Sequence, residues 1–378
     1  MIKRILEEKL KNKIDYTKAI ILLGPRQVGK TTLVKSIAQS TNQKFIYFNG
    51  DDIETRNLWK IDNVSFLKQS FGENKLILLD EAQMIEDIGL ICKQLIDAQK
   101  GLQLIITGSS SLNIANLTQE PLTGRKWEYN LFPISIEELL EHSNYLQILQ
   151  NLNTYLVFGS YPEVLNNAQN VQEVLGNLAS SYLYKDILAL VGIKKPQILE
   201  KILMALAYQI GGEVSLNELS QTVGADIKTV ESYIYLLEQS FVVFRLNAFS
   251  RNLRNEINKK KKIFFYDVGI RNALISNFSP INQRNDVGAI WENFLIVERK
   301  KLLAYHGYYG KTYFWRNKDK AEIDYLEEIN GEIYVYEFKW SPKERVKFPS
   351  IFMANYAPKS TQSINRENFM EFLTVYPY

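Results

Sequence analysis

The stretch that decides the fold runs from Ala19 to Gln39 and is AIILLGPRQVGKTTLVKSIAQ. Its first five residues are apolar and predict a buried parallel strand, whereas the residues after Thr32 follow a helical pattern. The connection fits Gly-x-x-x-x-Gly-Lys-[Ser/Thr], with the strand before it and the helix after it that this motif requires. The sequence therefore predicts a phosphate-binding loop made of Gly24, Pro25, Arg26, Gln27, Val28, Gly29, Lys30, Thr31 and Thr32.

Each part of this loop has a chemical role. The glycines let backbone amides approach a β-phosphate, and the N-terminus of the following helix adds a positive field. Lys30 would reach the β- and γ-phosphates, and the Thr31 hydroxyl would ligate Mg²⁺. We therefore expect ATP and Mg²⁺ to bind here.

A second apolar run, from Lys75 to Leu79, ends in Asp80 and Glu81. Ligands of parallel sheets bind beyond the carboxyl ends of the strands, so these acids belong beside the phosphate-binding loop. Asp80 is predicted to hold Mg²⁺ through water, and Glu81 is predicted to polarise the attacking water as a general base.

A third apolar strand, from Leu102 to Ile106, ends in the polar run Thr107 to Ser111. Between the loop-bearing strand and the acidic strand, Thr107 would sense the γ-phosphate; the alternative is a serine-rich turn that caps the next helix. Arg125 would act as a finger on the nucleotide of a neighbouring subunit in a homo-oligomer, or it is an ordinary surface arginine. The predicted catalytic residues are Lys30, Glu81, Thr107 and Arg125.

Four segments together resemble an AAA-type ATPase of the additional-strand class: GPRQVGKTTL, KLILLDEAQ, ITGSSS and GRKWEYNLFPISIEELL. More narrowly, the chain resembles a widespread family of prokaryotic ATPases with a C-terminal domain of unknown function. The segments that carry this second resemblance are Gly159 to Glu163, Tyr266 to Gly269 and Trp291 to Phe294. The resemblance implies an α/β fold with a P-loop NTPase parallel sheet over residues 1–132 and a helical lid over residues 133–194.

Length, composition and charge limit the classes of protein to which this chain can belong. The chain has 378 residues, of which 46% are hydrophobic, so it is long enough for two or three cores. Its 45 basic and 42 acidic residues give a net charge of +3, which is too small to imply a nucleic-acid partner by itself. Cys92 is the only cysteine, which fits a reducing compartment and a buried structural thiol. No apolar run reaches the ~18 residues of a membrane span, and the first 16 residues lack a signal-peptide core, so we expect a soluble, cytoplasmic protein.

The middle of the chain shows the element order of a winged helix. Lys195-Pro196 marks a boundary, and the domain is predicted over residues 195–270. Three helices are predicted over residues 198–210, 216–222 and 227–239, the last two capped by Ser215 and Asp226. Strands over residues 241–249 and 262–266 follow.

The connection between those two strands is strongly basic. Over the twelve residues from Arg251 to Lys262, six are basic and only Glu256 is acidic; the others are Arg254, Lys259, Lys260 and Lys261. On a wing tip this segment would grip DNA phosphates; the alternative is a solvated loop. The third helix is not strongly basic, so we do not expect sequence-specific reading. DNA is thus the predicted partner, through residues 251–262 and the C-terminal domain.

Two strand-like runs over residues 321–329 and 332–339 flank Asn330-Gly331, a strong hairpin signal. A two-residue turn fixes the register so that paired residue numbers sum to 661. Asp324 then faces Glu337 and Glu322 faces Lys339, all on one face of the hairpin. The other face pairs Ile323 with Phe338 and Tyr325 with Tyr336, as a core requires.

Two opposed carboxylates repel each other unless a cation lies between them, and a divalent metal at Asp324 and Glu337 is one solution. Lys339 would then orient or activate water. This pattern resembles the PD-(D/E)XK nuclease core, with Glu292 as the helical acid, and implies a restriction-endonuclease-like α/β domain over residues 271–378. The alternative is that Lys339 pairs with Glu322 and leaves a solvated polar face.

Three functions compete. The first is an ATPase coupled to DNA binding and metal-dependent DNA cleavage. The second is an ATP-driven switch whose C-terminal domain binds DNA or a protein without cutting. A small-molecule P-loop kinase is disfavoured, because Glu81 beside Asp80 suits the activation of water.

Overall fold

The computed structural model describes residues 2–14, 17–98, 101–109, 122–167, 169–180, 195–251 and 261–377. These residues form two compact units. The first unit contains the described residues up to Ile134, with Gln239–Phe241, and the second contains the described residues within 135–180, 195–238 and 242–377.

The first unit is built on a parallel sheet of five strands in the order β2-β3-β4-β1-β5. Every residue of β1 and β3 is buried, as their apolar sequences predict. β4 lies between β3 and β1, so the end of the predicted third strand is next to both the phosphate-binding loop and the acidic pair. The strands are β1 (Ala19–Leu23), β2 (Phe45–Asn49), β3 (Leu76–Asp80), β4 (Gln103–Gly108) and β5 (Lys126–Asn130).

Short helices accompany this sheet. They are α1 (Leu6–Lys11), α2 (Lys30–Ser40), α3 (Ile53–Leu58), α4 (Val64–Ser70) and α5 (Ile88–Ala98), with 3₁₀ turns at Ile61–Asn63 and Ala82–Met84. Cys92 on α5 is fully buried, and this burial raises the pKa of its thiol far above the usual value. The prediction of a structural rather than reactive thiol is therefore supported by its environment.

The second unit begins with helices α6 (Ile136–His142), α7 (Tyr145–Phe158) and α8 (Pro162–Asn166), followed by a helical stretch, α9, over residues 171–180. Ser135 and Glu138 form a capping box at the start of α6. The predicted helical region extends to about Leu190, but residues 181–194 lie outside the described part of the chain.

The rest of the second unit alternates helices with a single large sheet. Its elements are α10 (Pro196–Tyr208), β6 (Glu213–Val214), α11 (Leu216–Val223), α12 (Ile227–Gln239), β7 (Val243–Ala248), β8 (Lys261–Phe265), α13 (Val268–Leu274), α14 (Val287–His306), β9 (Lys311–Arg316), β10 (Glu322–Ile329), β11 (Glu332–Phe338), α15 (Ser350–Tyr356), β12 (Ser360–Ile364) and α16 (Phe369–Thr374). Ser215 and Asp226 accept hydrogen bonds from the backbone of α11 and α12, so both predicted caps are confirmed.

The seven strands of this sheet follow the order β12-β11-β10-β9-β7-β8-β6. β7 runs parallel to β9, with Ala248 opposite Phe314. The three helices and two strands predicted for residues 195–270 are present in that order, but their strands continue directly into the sheet of the C-terminal residues. The predicted boundary near residue 270 thus does not separate two sheets.

The hairpin of β10 and β11 has the predicted register. Tyr325 lies opposite Tyr336, and the ladder continues to Ile329 and Glu332, so paired numbers sum to 661. Asn330 and Gly331 have φ angles of 54° and 80°, the left-handed values that a type I′ turn requires. Tyr325 is buried against Tyr336 and Phe338, as predicted for one face of the hairpin. Ile323 instead packs with Leu326 on the other face, because β10 has a bulge between these two residues, so the predicted placement of Ile323 on the face of Tyr325 is wrong.

Among the described residues, no helix combines the length and the apolarity that crossing a membrane requires.

Candidate nucleotide site and carboxylate cluster

The phosphate-binding loop joins β1 to α2 through backbone that favours glycine. Gly29 has a φ of 93°, and a Cβ atom on Gly24 would collide with the carbonyl of Leu131. The Lys30 ammonium is buried and donates to the carbonyl oxygens of Gly24 and Pro25, at 2.9 and 2.7 Å. The motif therefore has the compact loop and enclosed cation that phosphate binding requires.

The Asp80 carboxylate collects hydroxyl donors from three elements. The Thr31 hydroxyl at the start of α2 donates to Oδ2 at 2.6 Å, and the Tyr47 hydroxyl from β2 donates to the same oxygen at 2.9 Å. The Thr107 hydroxyl from β4 donates to Oδ1. Burial and the charge of Asp80 raise the pKa of Tyr47 far above its usual value, so the phenol stays a donor. No pattern in the sequence indicated a role for Tyr47.

Thr31 and Asp80 converge, as required for the predicted arrangement in which the Thr31 hydroxyl ligates Mg²⁺ and Asp80 holds it through water. A hydroxyl and a carboxylate are the hard donors that this ion prefers. The residues present therefore fit a magnesium ion bound with nucleotide.

Glu81 has a left-handed backbone, with φ 48° and ψ 43°, directly after β3. Its side-chain Oε2 accepts a hydrogen bond from the Gln83 amide. The same amide nitrogen donates to the Ser109 hydroxyl at 3.0 Å, and the Ser109 backbone N–H donates to Gln83 Oε1 at 3.3 Å. Gln83 therefore joins the predicted general base to the end of β4, another feature that sequence analysis missed. Ser110 and Ser111 lie outside the described residues.

Arg4 anchors the loop from the other side. It is buried and donates to the carbonyls of Val28 and Phe132, at 2.7 and 2.6 Å. A charged residue near the start of a chain carries no sequence signal for such a contact, so this residue was also missed.

Arg125 lies at the opposite end of the sheet from the phosphate-binding loop. It precedes β5, whose first residue pairs with Ala19 at the start of β1. Its Nε is 2.6 Å from Oδ1 of Asp97, and the arginine side chain is 40% exposed. Its predicted role as a finger concerns a second copy of the chain and stays a prediction.

In the second unit, three of the predicted nuclease-like residues meet at one end of β11. The Asp324 carboxylate accepts the backbone N–H of Phe338 at 2.8 Å. Lys339 Nζ lies 3.3 Å from Glu337 Oε2 and 3.9 Å from Asp324 Oδ2. Burial and the adjacent Asp324 raise the pKa of Glu337 to about 8, so this carboxyl takes up a proton near neutral pH.

The environment of Lys262 corrects two expectations. Lys262 is 3% exposed on β8, an interior strand of the sheet, so it is not part of a solvated wing loop. Its Nζ lies 2.8 Å from Glu292 Oε1 and 2.5 Å from Glu322 Oε1. The suggested pairing of Lys339 with Glu322 is therefore wrong, because the nearest cation to Glu322 comes from another strand. Arg251 is exposed, whereas Arg254, Lys259 and Lys260 lie outside the described residues.

Glu292 lies on α14, as predicted for the helical acid, but Lys262 engages it. Burial and the charges of Asp324 and Glu322 raise the pKa of Glu292 to about 7, against the lowering effect of Lys262. Within the described ranges, no group of three or more His, Cys, Asp or Glu side chains is arranged to hold a metal ion. Of the three acids predicted for the second metal site, only Asp324 and Glu337 lie together without a pairing to Lys262.

The segments around Gly159 and Asp267 form a buried joint within the second unit. Asp267 accepts the backbone N–H groups of Ser160 and Ile270, at 2.8 and 3.1 Å. A Cβ atom on Gly159 would collide with the Asp267 carboxylate. These segments therefore have a packing role, which explains why their sequence patterns suggest no chemistry.

Three models of known protein families match successive parts of the chain. Residues 16–140 match the family model described as AAA domain, and residues 149–281 and 287–371 match two models described as domains of unknown function, DUF8612 and DUF4143. With the parallel sheet and the phosphate-binding loop, the first match defines residues 16–140 as an AAA-type ATPase-like domain.

Similar proteins span most of the chain. Uncharacterized protein Rv2008c of Mycobacterium tuberculosis is 25% identical over 350 residues, which cover 91% of this chain and 74% of that protein. Uncharacterized protein MJ1544 of Methanocaldococcus jannaschii is 24% identical over 372 residues, which cover 90% and 80%. The solved structure of the Thermotoga maritima RuvB Holliday junction branch migration motor aligns with 17% identity and a TM-score of 0.32, over 64% of this chain and 86% of that one.

Proposed function

We propose that this protein binds ATP with Mg²⁺, hydrolyses the ATP, and uses its nucleotide state to control contact between its second unit and DNA. The observation that carries the ATPase part is the 2.6 Å hydrogen bond between Thr31 and Asp80, beside the buried Lys30. These are the positions at which a P-loop enzyme holds its metal and phosphates.

The residues divide the reaction between them. Lys30 and the loop amides bind the phosphates, and Thr31 and Asp80 hold Mg²⁺, which would neutralise charge on the phosphate oxygens. Glu81 accepts a proton from the attacking water. The water oxygen bonds to the γ-phosphorus, and the bond between that phosphorus and the leaving ADP oxygen breaks. Thr107, whose hydroxyl donates to Asp80, would respond to the presence of the γ-phosphate.

The DNA part is supported by the second unit. Its α10, α11, α12, β7 and β8 follow the order of a winged helix, and exposed Arg251 begins the basic connection between the two strands. Without a basic third helix, binding would depend on the phosphate backbone more than on base sequence.

An ATPase assay with and without duplex DNA tests both parts. Wild type is expected to release phosphate, Glu81→Gln to bind ATP with turnover lowered by about 10²-fold or more, and DNA to change the wild-type rate. Unchanged ATP binding in Lys30→Ala would refute the nucleotide site. A rate insensitive to DNA, with no DNA binding in any nucleotide state, would refute the coupling.

Metal-dependent DNA cleavage is a second candidate, favoured by the convergence of Asp324, Glu337 and Lys339. It predicts cutting with Mg²⁺ or Mn²⁺ that is lost in both Asp324→Ala and Lys339→Ala, while ATP turnover continues. Binding without cutting would leave the non-cleaving switch as the function.

A further inference from the structure

The large sheet of the second unit has two ends with very different charge. β11 and β12 are parallel, with Phe338 opposite Ile364, so the segments that follow them leave the same edge. β9 and β10 are antiparallel, as are β10 and β11, which brings the turn between β9 and β10 to this edge as well. Three connections, 317–321, 339–349 and 365–368, therefore share one edge of the sheet.

These three connections contain seven basic and three acidic residues, an excess of four positive charges. The whole chain has a net charge of only +3, so the net positive charge of these three connections exceeds that of the whole chain. At the other edge, connections 307–310, 330–331 and 357–359 contain one cation, Lys359, whose Nζ lies 2.6 Å from Glu332. The positive charge is therefore concentrated at one edge and is not spread evenly around the sheet.

Six of the seven cations at this edge are exposed, and we call them the cationic edge: Lys318, Lys320, Lys343, Arg345, Lys347 and Arg366. None of the six forms an ion pair with any residue that the structure describes. The seventh, Lys339, is half-buried and engaged with Glu337 and Asp324. Solvated side chains without acidic partners keep their charge available to an anion.

Arg366 is also held in place. Its Nε donates to the carbonyl of Trp340 at 3.1 Å, and its guanidinium lies 4.6 Å from the centre of the Trp340 ring. One of its five N–H groups is used in that bond, and a guanidinium fixed in this way loses less conformational entropy on binding a phosphate. The cationic edge thus combines five exposed cations with one arginine, Arg366, that is held in a defined orientation.

β7 is parallel to β9, so the segment after β7 leaves the sheet at this edge too. Exposed Arg251 follows Ala248 at that point. The basic connection predicted from the sequence therefore starts beside the cationic edge.

We propose that the cationic edge is the surface through which this protein contacts the phosphodiester backbone of nucleic acid; the inference rests on the proposed DNA function and names its binding surface. Nucleic acid is favoured over an acidic peptide because the cations are spread over three connections that follow neighbouring strands, which suits a polymer with regularly spaced charges. Lys339, in the same connection as Lys343, contacts Asp324 and Glu337, so these carboxylates lie at the end of the sheet that carries the cationic edge.

Fluorescence anisotropy of the full-length protein with a labelled duplex DNA of arbitrary sequence, measured across a KCl titration, tests this surface. Replacing Lys343, Arg345 and Lys347 together by alanine should weaken binding by about tenfold or more and lower the slope of log K against log salt by about 3, near one per lost phosphate contact. The matched control replaces by alanine three lysines, Lys44, Lys75 and Lys311, that lie outside both the candidate winged helix and the cationic edge. All three are exposed, and Lys311 lies at the opposite edge of the sheet.

Each of the following results would refute the cationic edge as a DNA-binding surface or assign it to another partner. Equal affinity and slope in the two triple variants would refute the cationic edge while leaving DNA binding intact. No binding by wild type, with and without ATP, would refute the DNA function and this surface together. Competition by polyglutamate as strong as competition by DNA of the same charge would assign the edge to an acidic protein instead. Thermal unfolding should be unchanged in both variants, because the substituted side chains are exposed.

Discussion

The Gln83 amide joins Glu81 to Ser109, and so links the predicted general base at the end of β3 with the end of β4. Gln83 is 4% exposed, and its two side-chain atoms are both engaged. A general base must be held within hydrogen-bonding reach of its water, so the position of Glu81 depends on this amide.

Replacing Gln83 by leucine should therefore lower kcat by about tenfold, with the Kd for ATP changed less than about twofold, since the phosphate contacts remain. Single-turnover phosphate release and equilibrium nucleotide binding separate the two effects. Ser109→Ala, which keeps the bond from Gln83 to Glu81, should have the smaller effect. A kcat equal to or above that of wild type in Gln83→Leu would contradict a positioning role.

Tyr47 should set the affinity of the magnesium site. Its hydroxyl donates to the same Asp80 oxygen as Thr31, so Tyr47→Phe removes one of the bonds that orient this carboxylate. Removal of such a supporting contact typically weakens metal affinity by about 10-fold or more. The Mg²⁺ concentration at half-maximal ATPase rate should rise, with the maximal rate nearly restored at high Mg²⁺. An unchanged Mg²⁺ dependence would show that Asp80 is held adequately without it.

Lys262 should be essential for the stability of the second unit. Lys262→Met leaves Glu292 and Glu322 without their buried cation, and the loss of one partner of a buried pair costs about 3–5 kcal/mol. Urea unfolding should show this decrease, and the double variant with Glu322→Gln should recover part of it. If the double variant is as unstable as the two single changes combined, the ion pair is not the source of the loss.

The raised pKa values of Glu337 and Glu292, about 8 and about 7, give stability a definite pH dependence. Both values are above the ordinary 4.5, so the folded state binds more protons than the unfolded state in this interval. The contribution of these two groups to stability is therefore fully present below about pH 4.5. It is lost as the pH rises through 7 and 8. Glu337→Gln, which mimics the protonated acid, should raise Tm relative to wild type at pH 8.5 and have little effect at pH 5. The same Tm difference at both pH values would argue against a proton on Glu337.

Replacing Arg125 by alanine distinguishes a local surface role of this residue from a role at the nucleotide of a second copy. Its pair with Asp97 is largely solvent-exposed, so Arg125→Ala should change stability by less than about 1 kcal/mol. If Arg125 reaches the nucleotide of a second copy, turnover per subunit should rise with protein concentration in wild type and not in the variant, while ATP binding is retained. Equal turnover in both proteins at every concentration would make Arg125 an ordinary surface residue.

The grouping of the predicted nucleotide-site residues could be read from the sequence because its information is local. Gly24 to Thr31 are contiguous, and Asp80 and Glu81 end a strand whose apolar pattern assigns it to a parallel sheet. Thr107 followed from the same rule applied to the next strand. Tyr47, Gln83 and Arg4 did not, because each acts through one hydrogen bond whose partner is set by packing and not by spacing along the chain.

In the C-terminal part, the sequence alone determined the hairpin register, because the two-residue turn at Asn330 and Gly331 admits one pairing and a strand has a period of two. That register placed Asp324, Glu337 and Lys339 together. Only the tertiary structure decided which cation neutralises Glu322 and Glu292, since Lys262 arrives from a strand that is distant in sequence. It also gathered the cations of separate connections at one edge. The direction of each strand in the sheet sets which turns become neighbours, and that direction is fixed by long-range pairing that no local pattern records.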